Sequence, residues 1–213
     1  MKRLLSYIWP ITQYFNSSKN GKVEVTWLDG KKVLDTKNAN FSYGSLQKIL
    51  KHGLTKIKID LDDDILLLGL GAGSVVETLR KDFNHNGVIK AIEIDEIIIE
   101  IAEKEFKLAK WNDLEVICAD AFEYIKNIEE TYDIIIVDLF IDRNLPHQCY
   151  SNEFWRQLLK MLNKGGYIVF NAGFYQLDNE KLNHTFKSLK TELKFSKYEK
   201  IQGNSTLYIA EKL

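Results

Sequence analysis

Residues 65–73 read Ile-Leu-Leu-Leu-Gly-Leu-Gly-Ala-Gly, and this stretch decides the fold of the chain. Four consecutive aliphatic residues are typical of a parallel strand that is covered on both faces. Gly69, Gly71 and Gly73 then allow a tight turn, and they let a ligand approach a backbone without Cβ atoms. The helix predicted over Ser74–Lys81 would point its first amides at that ligand. Taken alone, the glycines fit equally well with close packing of this helix on the strand.

The same alternation of strand and helix continues to the end of the chain. Further strands are predicted over Val88–Ile94, Leu114–Cys118, Tyr132–Val137 and Tyr167–Asn171, with helices over 98–105, 121–128, 153–162 and 182–193. Two final β-rich segments, 195–201 and 206–210, flank a Gln-Gly-Asn-Ser turn. The pattern predicts an α/β, Rossmann-like fold, in which a mostly parallel, doubly wound sheet carries an antiparallel C-terminal hairpin.

The first 55 residues follow a different pattern. β-branched and aromatic residues flank Asp29-Gly30, which predicts a small β-hairpin, and Tyr43–His52 has a helical spacing that Gly53 would close. We therefore predict two parts. Residues 1–55 would form a small N-terminal appendage of hairpin and helix, and residues 56–213 the Rossmann-like domain.

Composition limits the partners and the compartment. The 29 basic and 30 acidic side chains nearly cancel, so no global field attracts nucleic acid. Cys118 and Cys149 have no metal-ligand spacing and form no disulfide framework, so we expect a cytoplasmic protein without a metal site. No apolar run approaches the roughly 18 residues that a membrane span needs. The apolar segment 4–9 is short and lacks a signal-peptide cleavage site, so we expect it to dock on the domain or on a partner subunit.

Glu93 provides the second motif. It ends the predicted strand about 20 residues after the glycine turn, where a carboxylate can accept hydrogen bonds from both ribose hydroxyls. Asp95 lies two residues further and suits the N-cap of the next helix. Together, the turn and Glu93 favour a nucleoside-bearing cofactor. A nicotinamide dinucleotide fits less well, because its fingerprint needs glycine or alanine where Ser74 stands.

Asp120 follows the next predicted strand and has two interpretations. Its carboxylate can accept a hydrogen bond from the exocyclic amine of an adenine, with Ile94 or Phe122 against the base. Alternatively, it caps the helix that begins at Ala121.

These motifs resemble the spermidine synthase-like branch of the class I S-adenosylmethionine-dependent methyltransferase fold. Residues 93–95 are similar to its ribose-binding Glu-Ile-Asp, and Asp120-Ala121 to its adenine-binding pair. Asp138, followed by a proline-containing loop, is similar to its catalytic-loop aspartate, and residues 41–43 resemble its substrate-side tyrosine segment. The resemblance implies S-adenosylmethionine or its decarboxylated form as cofactor, a small-molecule acceptor, catalytic roles for Asp138 and Tyr43, and a homodimer.

Departures from the family pattern concern the acceptor. Ala72 replaces an acidic residue that would meet the amine of an aminopropyl donor, and Asp142 lies four places after Asp138 instead of three. We therefore expect methyl transfer to an unknown small acceptor, and we expect the intact cofactor to bind at least as well as the decarboxylated one. Aminopropyl transfer and a non-catalytic nucleoside-binding relative are the alternatives. Candidate pocket walls are Tyr43, Asn144, His147 and Tyr150.

Overall fold

The computed structural model describes residues 1–36, 40–141, 144–174 and 179–213. Their strands form two separate sheets. The strands of the N-terminal sheet are β1 Ile11–Ser17, β2 Gly21–Leu28, β3 Lys31–Thr36 and β4 Asn40–Ser42. The strands of the main sheet are β5 Ile65–Leu68, β6 Ile89–Glu93, β7 Leu114–Cys118, β8 Tyr132–Val137, β9 Leu162–Phe174, β10 Leu193–Ile201 and β11 Ser205–Lys212.

The main sheet has the order β10-β11-β9-β8-β5-β6-β7. Strands β5 to β9 pair in parallel, whereas β11 pairs antiparallel with both β9 and β10. This arrangement confirms the predicted Rossmann-like sheet and its C-terminal hairpin. The chain winds outward from β5 through β7 and then returns to β8 on the other side of β5. Such a switch point opens a crevice at the carboxyl ends of the strands.

Helices cover both faces of the main sheet. They are α2 Gly44–Leu54, α3 Ser74–Asp82, α4 Glu96–Phe106, α5 Ala121–Tyr124, α6 Asn152–Met161 and α7 Asn179–Ser188. The short helix α1 Lys2–Leu5 lies in the N-terminal arm and contacts β2. One buried cluster includes Trp155 and Phe170, and the cluster on the opposite face includes Leu67 and Val76. All four residues of β5 are thereby buried, as their aliphatic sequence predicts.

Gly53 does not close the second helix, contrary to the sequence prediction. Helix α2 continues through it and ends at Leu54, with Thr55 as its C-cap. A Cβ at Gly53 would lie 2.8 Å from Val169 Cγ1 and 3.0 Å from Leu207 Cδ1. The glycine is therefore needed where α2 packs directly on β9 and β11, and not at a helix end.

The N-terminal sheet contains the predicted hairpin. Its turn has positive φ at both Asp29 (48°) and Gly30 (74°), as tight hairpins require. Strand β1 was not predicted, because its exposed edge position lacks a clear alternation of apolar and polar residues. Val23 and Val25 of this sheet pack against Ile98 and Ile101 of α4. The division into parts at residue 55 stays a prediction.

The N-terminal arm docks partly on this sheet. Ser6 is buried, and its hydroxyl accepts a hydrogen bond from the Gly30 amide at 3.0 Å, while the Tyr7 ring covers Gly30. Ile8 and Trp9 remain 85% and 76% exposed. Within the described residues, no helix has the length and apolar character needed to cross a bilayer.

Candidate active site

A cavity of about 630 Å³ lies at the carboxyl ends of the parallel strands. Backbone hydrogen bonds continue the ladder beyond the strands and align these ends: the Gly69 amide donates to Ile92, the Ala119 amide to Glu93, and the Asp138 amide to Leu68. The first turn of α2 and the β10–β11 turn complete the walls. The cavity is therefore at the switch point where α/β proteins bind their ligands.

Gly69 and Gly71 line this cavity, as predicted from the sequence. Gly69 has a φ of 95°, and a Cβ on it would collide with the backbone carbonyl oxygen of Asp138. Only glycine lets the turn pass so close to the end of β8. Gly73 precedes α3 with a φ of 82° and faces the Leu108 side chain. It is not among the residues that line the cavity.

Glu93 is 6% exposed and lies beside the glycine turn. Its Oε2 accepts a hydrogen bond from the Gly71 amide at 3.0 Å, and its Oε1 accepts one from the Asp95 amide at 3.1 Å. Burial raises the pKa of Glu93 and the nearby Asp95 charge raises it further, while hydrogen bonds from the backbone amides of Gly71, Asp95 and Ile94 lower it. Turn and carboxylate thus form one rigid unit on the cavity wall.

Asp95 is the N-cap of α4, as predicted, because its Oδ1 accepts a hydrogen bond from the Ile97 amide at 3.0 Å. Its Oδ2 accepts hydrogen bonds from the Ser17 hydroxyl and from Asn20 Nδ2, the latter at 2.6 Å. Asn20 also lines the cavity. Asp95 therefore ties the β1–β2 turn to the end of β6.

Asp120 is the predicted N-cap of α5 and also lines the cavity, while its contact with an adenine stays a prediction. Its Oδ1 caps α5 by accepting hydrogen bonds from the amides of Phe122 at 2.8 Å and Glu123 at 3.2 Å. The residue also lines the cavity at the end of β7, together with Ile94, Ala121 and Phe122. Since capping uses only Oδ1, the second carboxylate oxygen remains available to a ligand.

Asp138 lies on the cavity wall at the end of β8. Its Oδ1 accepts a hydrogen bond from Asn171 Nδ2 at 2.8 Å, and Asn171 Oδ1 in turn accepts one from the Gly173 amide at 3.0 Å. Burial raises the pKa of Asp138 to about 7, with a further contribution from the Glu93 charge, while the Asn171 hydrogen bond lowers it. A carboxyl that titrates near neutral pH can both accept and release a proton under physiological conditions.

Tyr43 is placed away from the cavity lining. Its hydroxyl donates a hydrogen bond to Glu77 Oε2 at 2.7 Å, and its ring stacks on Phe106 with centroids 5.0 Å apart. Burial and the Glu77 hydrogen bond raise the pKa of Tyr43 above its ordinary value. The residue has a φ of 70° and leads directly into α2, which does reach the cavity.

The loop after β8 contributes other residues than predicted. Ile141, Pro146 and Gln148 line the cavity, whereas Asn144, His147 and Tyr150 are not among its lining residues. Asp142, which the sequence analysis compared with a family aspartate, lies outside the described residues.

Comparison with known proteins places this site in a family. The spermine/spermidine synthase domain matches residues 44–201, about three quarters of the chain. The chain belongs to the spermine/spermidine synthase family. This confirms the resemblance drawn from the glycine turn and the carboxylates at 93, 120 and 138, which lie within the matched range, whereas the similarity seen at residues 41–43 lies outside it and stays a prediction.

Two relatives in the family are about one-third identical to the chain. The polyamine aminopropyltransferase of Thermococcus onnurineus is 36% identical over 126 residues, which cover 56% of this chain and 44% of that protein. Polyamine aminopropyltransferase 2 of Aquifex aeolicus is 35% identical over 122 residues, covering 52% and 24% respectively. The chain thus spans less than half of the length of these curated relatives.

Solved structures share the fold. The spermidine synthase of Thermotoga maritima has a TM-score of 0.62 and 18% identity, covering 95% of this chain and 69% of that one. Human methyltransferase-like protein 13, in complex with SAH, has a TM-score of 0.64 and 22% identity, covering 80% and 83%. A protein named spermidine synthase and one named methyltransferase-like therefore share this architecture.

Several residues of the cavity lining were not predicted from the sequence, among them Asn20, Asn171 and residues 202–205. Asn171 carried a usable signal, because it is a polar residue directly after the aliphatic run Ile168–Phe170, at the carboxyl end of a parallel strand. Asn20 and the β10–β11 turn carried none, since antiparallel turns approach the cavity only through the tertiary arrangement.

The charge of the cavity is one-sided. Glu93, Asp120 and Asp138 line it, and the described lining residues include no lysine, arginine or histidine. Ala72, which stands in the place of an acidic residue, is fully buried among apolar side chains that include Val23, Val25 and Ile98. Ala72, from which we predicted the preferred form of the cofactor, therefore does not face the cavity.

Proposed function

We propose that the chain is an aminopropyltransferase that uses decarboxylated S-adenosylmethionine as donor and a small amine as acceptor. The observation that carries this proposal is the charge of the cavity, with three carboxylates and no cationic side chain among its described lining residues. The decarboxylated donor has two positive charges, a sulfonium and an ammonium. The intact cofactor adds a carboxylate, which would be desolvated near other carboxylates without a cationic partner.

The relatives support the same proposal. Those described above are named polyamine aminopropyltransferases, which favours the aminopropyl alternative over the methyl transfer that sequence analysis preferred. From Ala72 we expected the intact cofactor to bind at least as well as the decarboxylated one. Ala72 is buried away from the cavity, so it cannot decide this preference. The carboxylates that do line the cavity favour the decarboxylated cofactor.

The two ends of the cavity would then hold the two substrates. We call the ends of β5, β6 and β7 the donor half, where Glu93 would accept hydrogen bonds from the ribose and Asp120 would face the adenine. We call the ends of β8 and β9, the β10–β11 turn and the first turns of α2 the acceptor half. The sulfonium would lie between them, over the glycine turn.

Asp138 would act as the general base at the boundary of the two halves. It accepts a proton from the acceptor ammonium, and the resulting amine attacks the aminopropyl carbon that is bonded to sulfur. The new C–N bond forms as the C–S bond breaks, and the bonding pair leaves on sulfur to give neutral methylthioadenosine. The product is released as a secondary ammonium, which exchanges its proton with solvent. Because the sulfonium is already a good leaving group, the protein mainly aligns the reactants and excludes water.

Methyl transfer is the second candidate function. It is favoured by one observation: the glycine turn supplies no carboxylate to the cavity, since Ala72 occupies the relevant place and is buried. In aminopropyl transfer, a carboxylate at that place would pair with the ammonium group of the donor. Methyl transfer does not require such a carboxylate.

Product analysis separates the two candidates. The protein is incubated with either form of the cofactor and a panel of small amines, and the nucleoside product is identified by mass spectrometry. We expect methylthioadenosine from the decarboxylated cofactor and a matching aminopropylated amine. Release of S-adenosylhomocysteine with a methylated acceptor, and no methylthioadenosine, would establish methyl transfer instead.

We also propose that the chain forms a homodimer through its N-terminal arm. The exposed Leu4, Ile8 and Trp9 form an apolar surface of the kind that marks a contact. Sedimentation should show a dimer at micromolar concentration that dissociates when residues 1–9 are deleted. A monomer in the full chain would contradict this.

A further inference from the structure

His85 lies in the loop between α3 and β6, at the end of the main sheet opposite to the cavity. Its side chain is completely buried. The ring atom Nε2 lies 2.7 Å from the backbone carbonyl oxygen of Asp63, and Nδ1 lies 3.1 Å from Arg80 Nη1. Both ring nitrogens are therefore hydrogen-bonded inside the protein.

The two partners determine which ring nitrogen of His85 carries a hydrogen. A carbonyl oxygen can only accept a hydrogen bond, so Nε2 must donate one to Asp63. A guanidinium can only donate, so Nδ1 must accept the hydrogen bond from Arg80 and carry no hydrogen. Only the neutral Nε2–H form of His85 satisfies both partners.

Arg80 extends this contact to the neighbouring loops. Its Nη1 also donates to the backbone carbonyl oxygens of His85 at 2.8 Å and Gly87 at 2.9 Å. Its Nη2 donates to those of Asn112 at 2.9 Å and Asp113 at 3.3 Å. The end of α3 is thus connected to the loops that lead into β6 and β7, and His85 adds the loop that leads into β5.

The charges that bear on His85 come from three segments. Burial has the largest effect and lowers the pKa of His85, and the Arg80 guanidinium on α3 lowers it further. The hydrogen bond to the Asp63 carbonyl and the carboxylates of Asp62 and Asp63, in the loop before β5, oppose this shift. Asp113, in the loop before β7, acts on Arg80. A proton on Nδ1 would replace the hydrogen bond from Arg80 by a contact between two cations.

We infer that His85 is an acid-sensitive link in the fold: uptake of a proton at Nδ1 breaks the contact with Arg80 and releases the end of α3 from the loops that lead into β5, β6 and β7. The unfolded chain binds this proton near pH 6.5, whereas the folded chain resists it. The contribution of His85 to stability is therefore complete above about pH 6.5 and is lost as the pH falls below that value. The inference does not depend on the proposed reaction.

Nitrogen-15 NMR spectra of the imidazole rings test the inference on the unaltered chain. The chain has four histidines, and the His85 ring is assigned through its backbone resonances. We expect the neutral Nε2–H form at pH 7.5 and the same form at pH 6, where a histidine of ordinary pKa, about 6.5, is mostly protonated. An Nδ1–H form at pH 7.5, or a doubly protonated His85 ring in the folded chain at pH 6, would overturn the inference.

A pair of matched variants measures the effect on stability. His85→Gln cannot take up the proton, and His184→Gln makes the same change at an exposed residue of α7. Reversible urea denaturation would compare both variants with the unaltered chain at pH 7.5 and pH 5.5. Buried carboxyls such as Asp138 titrate in all three proteins, so their contribution cancels in the comparison.

We expect the unfolding equilibrium constant of the unaltered chain to rise about three- to tenfold more between these two pH values than that of His85→Gln. His184→Gln should show the same pH dependence as the unaltered chain. Equal pH dependence in the unaltered chain and His85→Gln would contradict the inference. If His85→Gln does not fold, the protonation state of His85 in the NMR spectra decides.

Discussion

The two halves of the cavity are built in different ways. In the donor half, Glu93 and Asp120 are held by backbone amides close to them in sequence or on the glycine turn. In the acceptor half, Asp138 is held by the side chain of Asn171, and the walls come from three segments that are far apart in sequence. Carboxylates that are held by backbone amides keep their positions as long as the fold is kept. A wall that is built from side chains of separate segments can change one residue at a time. Substitutions should therefore alter the acceptor half more readily than the donor half.

Replacing the proposed base should give the largest effect. Asp138→Asn keeps the size and one acceptor oxygen but cannot take a proton, so kcat should fall about 10²- to 10⁴-fold. Methylthioadenosine affinity should change little, because Asp138 lies outside the donor half. Asp113→Asn is the matched control: Asp113 precedes β7, at the opposite edge of the sheet, and its φ of 54° suits asparagine. Steady-state kinetics with both variants would contradict the assignment if Asp138→Asn retained more than a tenth of the rate.

Weakening the donor half should chiefly affect binding. Glu93→Gln removes a charge and one of the two acceptor oxygens, so we expect methylthioadenosine to bind about 10- to 100-fold more weakly, or about 1.4 to 2.8 kcal/mol. Glu96→Gln makes the same change on an exposed residue of α4 and should leave the affinity unaltered. Calorimetry that finds equal affinities in the two variants would remove Glu93 from the ribose site.

The pH dependence of the rate reports on Asp138 directly. Its pKa is raised to about 7, so the active, ionised form is lost as the pH falls below neutral, and kcat/KM of the free enzyme should drop about tenfold per pH unit there. The hydrogen bond from Asn171 lowers this pKa, so Asn171→Ala should raise it and move the acid limb of the rate profile to higher pH. A limb that remains near pH 4 in both proteins would refute this role, and matching thermal denaturation curves would confirm that the variant is folded.

The packing of α2 should affect the acceptor half more weakly and leave the donor half alone. Gly53→Ala introduces a methyl group against Val169 and Leu207, which pushes the helix from the sheet by a few tenths of an ångström. Overpacking of this kind costs about 1 to 3 kcal/mol, partly offset by the higher helix propensity of alanine. We expect a two- to fivefold rise in the acceptor KM with unchanged methylthioadenosine affinity. A change in donor affinity of the same size would show that the two halves are coupled.

The sequence predicted which residues line the cavity at the ends of β5, β6 and β7, because the signals there are local. Each strand end, turn and following helix lies within one short segment, so Gly69, Gly71, Glu93 and Asp120 could be assigned from strand periodicity and spacing. The parallel sheet and its C-terminal hairpin were predictable for the same reason.

The acceptor half was largely missed because tertiary structure builds it. The β10–β11 turn reads as an ordinary hairpin turn, and only the pairing of β11 with β9 brings it beside Asp138. Tyr43 shows the converse. Its position in a family-like motif predicted a catalytic role, but its hydroxyl hydrogen-bonds to Glu77 outside the cavity lining, and its role remains a prediction. Ala72 likewise was judged from the motif, although its side chain points into an apolar cluster.

The affinity difference between the two forms of the cofactor tests the central claim most directly. Calorimetric titration of the full chain with decarboxylated S-adenosylmethionine and with S-adenosylmethionine compares ligands that differ by one carboxylate. Because Glu93, Asp120 and Asp138 are the only charged side chains among the described lining residues, the account predicts that the decarboxylated form binds at least about tenfold more tightly, or about 1.4 kcal/mol. Equal affinity, or tighter binding of the intact cofactor, would contradict it.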